Sequence, residues 1–157
     1  MKKVIVTGGS GFIGSNLVNF LIKKKFFVIN LDKLTYSSNK HKNNFRNRNN
    51  YKLIKVDIIN KIKITEIIRK YKPKAIFNLA AETHVDRSID NPYPFLKNNI
   101  LGTFNLLNIA NSYFHSLPGI KKRSFKFHHV SSDEVFGDLV GGKSPLIASL
   151  GKWATHD

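Results

Sequence analysis

The chain has 157 residues, 41% hydrophobic and 23% charged, the length of one domain or a piece of a larger one, which excludes two full domains and wholesale disorder. It has no cysteine, no apolar run near the roughly 18 residues of a bilayer span and no signal-peptide cleavage region in residues 1–30, which excludes disulfides and Cys-based metal sites and predicts a cytoplasmic protein without a membrane partner. The net charge of +16 divides into 21 Lys and 5 Arg, and base or bidentate phosphate recognition favours Arg, so no nucleic-acid partner is expected.

Lys3 to Thr7 (KVIVT) is a short β-branched run that ends in the glycine cluster GGSGFIG. Phe12, Ile13, Leu17, Phe20 and Leu21 then recur at helical spacing, and Lys23 to Lys25 stand where cations complement the negative end of a helix dipole. Phe26 to Leu31 (FFVINL) reads as a second, buried strand closed by Asp32. The first thirty residues therefore predict a β-α-β unit.

Residues 37–50 are polar and without apolar period, so they predict an extended connection. Its basic stretch, Lys40 to Arg48, has Phe45 as its lone aromatic and offers no stacking platform for single-stranded nucleic acid. Lys, Asn, Ile and Phe together make 67 of the 157 residues, and all four have codons rich in A and T, so the basic charge reads as compositional.

Tyr51 to Val56 predicts a third strand, and Ile62, Ile64, Ile67, Ile68 and Tyr71 outline a helix that stops before Pro73. Ala75 to Leu79 predicts a fourth strand, Phe95 to Tyr113 a long helix, and Phe125 to Ser131 a fifth strand after a basic loop. Alternation of strands and helices implies parallel pairing with right-handed crossovers, hence an α/β doubly wound, Rossmann-type sheet of order 3-2-1-4-5. Beyond Asp138 the residues have neither clear period nor obvious strand, so residues 140–157 are an unassigned tail after a domain of residues 1–139.

Gly8, Gly11 and Gly14 form G-x-x-G-x-x-G between strand and helix. One glycine permits the turn, another lets the backbone approach a pyrophosphate, and the last allows close helix–strand packing. The helix N-terminus then faces the phosphates with N–H groups and a positive partial charge. Asp32, 18 residues after Gly14, stands where a carboxylate accepts hydrogen bonds from an adenosine ribose and repels a 2′-phosphate. That favours NAD over NADP, although the adjacent Lys33 weakens the discrimination.

TGGSGFIG at 7–14, LDKLTYS at 31–37, NLAAETHVDRSID at 78–90 and HHVSSDEVFGDL at 128–139 closely resemble the dTDP-glucose 4,6-dehydratases, extended short-chain dehydrogenase/reductases that act on nucleotide sugars. The resemblance covers about residues 1–139. It implies Phe12 and Ile13 beside the pyrophosphate, Asp32, Lys33, Leu34 and Thr35 around the ribose, and Asp57 and Ile58 along the adenine. It places Leu79, Ala80, Ala81, Glu82 and Thr83 on the nicotinamide side and Asn98 at a cofactor contact that usually holds Thr. Thr83 and Ser132 would touch the sugar, as hydroxyl swaps that keep hydrogen-bonding capacity.

In such a dehydratase the sugar C4 is oxidised by hydride transfer to NAD, the resulting ketone acidifies the C5 proton, water is eliminated, and the hydride returns to C6. By resemblance Glu134 removes the C5 proton and Asp133 protonates the departing C6 hydroxyl, two duties that require separated pKa values. His84, Asp86 and Arg87 read as loop-ordering rather than catalytic residues. His128 and His129 alternate across a strand, and no metal site is expected.

The family's Tyr-x-x-x-Lys, in which lysine lowers the tyrosine pKa so that the phenolate deprotonates the C4 hydroxyl, is not in these 157 residues: the last tyrosine is Tyr113, and only Lys143 and Lys152 follow Glu134. The sequence thus predicts a sheet truncated after about the fifth strand, with an unpaired edge, and a chain inactive alone. The resemblance implies a homodimer for the family, paired through helices that include the one carrying this motif, which puts dimerisation of this chain in question. A non-catalytic NAD-binding fragment and a nucleotide-sugar 4-epimerase relative are the alternatives; adjacent Asp133 and Glu134 argue against the epimerase.

Overall fold

The computed structural model describes residues 1–35, 38, 48–83 and 89–131. Its elements run β1 (Lys3–Thr7), α1 (Phe12–Lys23), β2 (Phe27–Asp32), β3 (Tyr51–Lys55), α2 (Lys61–Tyr71), β4 (Ala75–Asn78), the single turn α3 (Tyr93–Phe95), a π-helical stretch (Leu96–Gly102), α4 (Thr103–Ser116), α5 (Gly119–Ser124) and β5 (Lys126–His129). The five strands form one parallel sheet of order β3-β2-β1-β4-β5. The expected doubly wound order is the one observed, because each helix returns the chain to the same end of the sheet.

Successive side chains of a strand face opposite sides, and β1 accordingly divides the core in two. Ile5 lies with Ile29, Leu31 and Ile76 under Ile64, Ile67 and Ile68 of α2 and Leu106, Ile109 and Ala110 of α4. Val4 and Val6 lie with Val28 under Val18, Leu21 and Ile22 of α1. Both faces being covered explains why β1 and β2 read as continuous apolar runs.

Two local features depart from expectation. The long helix over 95–113 is not uniform: it opens into π-helical turns at Leu96–Gly102 before α4 begins. Its apolar positions also split between two sides, for Leu106, Ile109 and Ala110 are buried whereas Ile100, Leu101, Phe104 and Leu107 are exposed. Second, the basic loop before β5 contains α5, six residues following Pro118 with Lys121, Lys122 and Arg123 in its last turn. So short an exposed helix has no apolar period, and its cations suit the helix C-terminus. The tail of residues 140–157, residues 40–47 of the basic stretch Lys40 to Arg48, and His84, Asp86 and Arg87 lie outside the described residues.

Candidate functional site

The carboxyl ends of β1, β2, β3 and β4 meet at a cleft, and the turn after β1 forms its floor. Gly8 has φ +66°, and a Cβ there would come within 2.8 Å of the Leu79 and Ala80 backbone. A Cβ on Gly14 would overlap the Gly8 carbonyl oxygen. These two positions require glycine for different reasons, one for a left-handed turn and one for contact between the first turn of α1 and the loop beneath it. The N-cap of α1 is Gly11, which has no side chain to cap with, and the first turn carries no acid, so the positive end of the helix suits an anion.

Asp32 is buried at the end of β2. Its Oδ2 accepts from the Ser10 N–H of the glycine turn at 2.9 Å, and its Oδ1 accepts from the Leu34 N–H at 2.8 Å and from Ser38 Oγ at 3.4 Å. Leu34 is held at φ +58°, a conformation that costs a non-glycine residue about 1 kcal/mol or more. The carboxylate therefore ties the glycine turn to the loop after β2 while remaining on the cleft wall.

Asn30 supports the same turn from below, its Nδ2 donating to Ser10 Oγ at 3.1 Å and to Tyr51 Oη at 3.0 Å. Across the sheet, Thr7 Oγ1 donates to Asn78 Oδ1 and accepts from the Ala80 N–H at 3.3 Å. Asn78 Nδ2 lies 3.1 Å from His129 Nδ1, so the imidazole that accepts this bond carries its proton on Nε2. Thr7 and Asn78 open two of the motif segments but, like Asn30, were given no role; the available signal was a polar residue toward the carboxyl end of a largely apolar strand, in KVIVT, FVINL and AIFN.

Asp57 closes the turn after β3, its Oδ1 accepting from the Ile59 N–H at 3.1 Å. Asn105 of α4 donates to the Ile58 carbonyl at 2.7 Å, which fixes that turn on the far wall. The loop after β4 is held by the π-helical stretch. Asn99 both accepts from the Glu82 N–H and donates to the Glu82 carbonyl, each at 2.9 Å, and Asn98 Nδ2 donates to Glu82 Oε1 at 3.0 Å. The wider π turns place the consecutive Asn98 and Asn99 on one residue, a use of irregular helix typical of functional sites. Lys33 Nζ completes the arrangement 2.6 Å from the same Oε1.

Of the expected cofactor residues, Gly8, Gly11, Asp32, Lys33, Thr35, Asp57, Ile58, Leu79, Ala80, Ala81, Glu82 and Asn98 line this cleft. Leu34 and Thr83 do not line it, and Gly14 lies buried beneath the turn. Phe12 and Ile13 point outward, 72% and 63% exposed, because they occupy the side of α1 opposite the buried Val18 and Leu21; they adjoin the turn through backbone rather than side chain. Ser132, Asp133 and Glu134 lie outside the described residues. His128 and His129 take opposite sides of β5 as the alternation requires, His128 stacked on Phe77 at 5.0 Å and His129 beside Asn78.

The family model described as GDP-mannose 4,6 dehydratase matches residues 5–146, a span that holds the glycine turn, Asp32 and the Glu82 loop. A dTDP-glucose 4,6-dehydratase of Haemophilus influenzae is 49% identical over 141 residues, 88% of this chain and 42% of that protein. Among solved structures, the dTDP-glucose 4,6-dehydratase of Bacillus anthracis in complex with NAD has a TM-score of 0.73 at 32% identity, covering 91% of this chain and 41% of the other. The UDP-glucose 4-epimerase of Thermus thermophilus in complex with NAD has a TM-score of 0.62 at 32% identity, covering 71% and 34%. The chain spans about two fifths of the length of the curated relatives it matches. With the glycine turn and the carboxylate wall both inside the matched span, the chain belongs to the GDP-mannose 4,6 dehydratase family.

Proposed function

We propose that residues 1–139 are the NAD-binding, Rossmann-type part of a dTDP-glucose 4,6-dehydratase, a lyase of nucleotide-sugar metabolism in the cytoplasm. The observation that carries this reading is Asp32 hydrogen-bonded to the glycine turn that opens into α1, whose N-cap is Gly11 and whose first turn carries no acid. An anion suits the helix end and a diol suits the carboxylate, which are the two polar parts of half a dinucleotide. Gly8 and Gly14 keep the turn clear of side chain where a pyrophosphate would approach.

On this reading NAD, when bound, supplies the acceptor and later the donor of the hydride. Asp32 orients the adenosine ribose, Asp57 and Ile58 flank the adenine, and Leu79 to Glu82 with Asn98 form the wall toward the nicotinamide. Thr83 and Ser132 contact the sugar; Glu134 takes the C5 proton and Asp133 gives one to the leaving C6 hydroxyl. The phenolate that would take the C4 hydroxyl proton is not supplied by a Tyr-x-x-x-Lys within these residues, so the chain by itself is read as cofactor-binding and inactive.

A 4-epimerase relative is the second reading, favoured by the likeness to the Thermus thermophilus enzyme; the adjacent Asp133 and Glu134 weigh for the dehydratase, since epimerisation needs no elimination at C6. Calorimetric titration of the chain with NAD and NADP tests the cofactor assignment. Saturable NAD binding, tighter than NADP, is expected, and equal or tighter NADP binding overturns it.

A further inference from the structure

We propose that the Lys33–Glu82 ion pair sets the choice between the two dinucleotides, by withholding from a 2′-phosphate the cation next to Asp32. The inference rests on the cofactor reading above and deepens it. Lys33 follows Asp32 directly, and among the described residues that line the cleft it is the only basic one. A flexible lysine beside a ribose site would ordinarily offer its ammonium to a 2′-phosphate. Here the ammonium is committed elsewhere, 2.6 Å from Glu82 Oε1.

Glu82 is not free to follow it. The Glu82 side chain is 15% exposed, its Oε1 also accepts from Asn98, and both its backbone polar groups are clamped by Asn99. The pair thus joins the loop after β2 to the loop after β4 over the end of β1, which lies between those strands in the sheet. Turning Lys33 toward a 2′-phosphate would leave a largely buried carboxylate with the Asn98 amide in place of a cation, an unfavourable exchange. A ribose diol makes no such demand, because Asp32 alone serves it as acceptor.

Glu82→Gln keeps an oxygen for Asn98 and removes the charge that holds Lys33. Affinities for NAD and NADP are to be measured by calorimetry for the unaltered chain, E82Q and the double variant K33A/E82Q, each first checked for a cooperative thermal transition. E82Q should shift the NAD-to-NADP affinity ratio about fivefold toward NADP, the scale of a partly exposed ion pair, a ratio in which any loss common to both dinucleotides through the Glu82 wall cancels, and K33A/E82Q should lose that shift. An unchanged NAD-to-NADP ratio in E82Q overturns the inference alone, as does a shift that persists without Lys33, which would assign the effect to the Glu82 charge itself. Failure of the unaltered chain to bind either dinucleotide overturns the cofactor reading and this inference with it.

Discussion

Asp32 performs two tasks with one carboxylate. It accepts the Ser10 and Leu34 N–H groups, and hydrogen bonds to a charged group are each worth about 1.5–3 kcal/mol. Asp32→Ala should therefore lower NAD affinity about tenfold or more, read by calorimetry, because the turn loses its tie to β2 and, in the binding mode proposed above, the ribose loses its acceptor. Gly14 has a purely steric role. A methyl there meets the Gly8 carbonyl, a backbone atom that can move only by shifting the turn, so Gly14→Ala should destabilise the fold by about 1–3 kcal/mol, measured as a lower melting temperature.

At the scale of elements, β5 carries two histidines whose titration is displaced by burial. Burial first, and then the Lys126 charge, lowers the pKa of His128 against Phe77; desolvation also lowers that of His129, which is more exposed but backs onto Asn78. A histidine whose folded pKa lies below its unfolded value of about 6.5 contributes stability that is fully present above that value. As pH falls below it the unfolded chain takes up protons first, so stability declines until pH has passed through the depressed folded pKa. The melting temperature should accordingly be level above about pH 6.5 and fall on acidification. His128→Gln should flatten part of that fall, and an unchanged pH profile in this variant would refute the assignment. The π-helical stretch is the complementary case of an element shaped by its contacts, since its paired asparagines define where the Glu82 loop lies.

For the molecule as a whole, the decisive quantity is what these residues supply to a reaction. The cleft proposed for the cofactor is assembled from them, but in the proposed reaction general-base catalysis at the C4 hydroxyl would contribute about 100- to 10,000-fold, and positioning of a sugar would contribute further. Purified chain with NAD and dTDP-glucose should form no 4-keto-6-deoxy sugar above background, by product chromatography; robust turnover would mean that a base other than Tyr-x-x-x-Lys operates. The net charge of +16 also predicts DNA binding that is weak and lost with salt, because it would come from counterion release. Sequence-selective binding that survives physiological salt, in a filter or anisotropy assay, would contradict the compositional origin of the lysines.

The strand order and the glycine turn were legible from the chain alone, because β-branched runs, helical apolar periods and glycines at fixed offsets are local and leave one economical parallel topology. Asp32 could be named from its spacing after the glycine turn, whereas Asp57 and the Leu79 to Glu82 loop were named through the resemblance of the motif segments to the dTDP-glucose 4,6-dehydratases. What only tertiary structure decided were the pairings across the sheet: Thr7 with Asn78, Asn30 with Ser10, and Lys33 with Glu82, 49 residues apart. The π-helical turns belong with these, since the apolar period of residues 95–113 is that of an ordinary helix and only the packing of Asn98 and Asn99 on Glu82 makes use of the wider turn. A polar side chain inside a strand announces that it needs a partner, but which residue meets it depends on neighbours that the sheet brings together from distant parts of the chain.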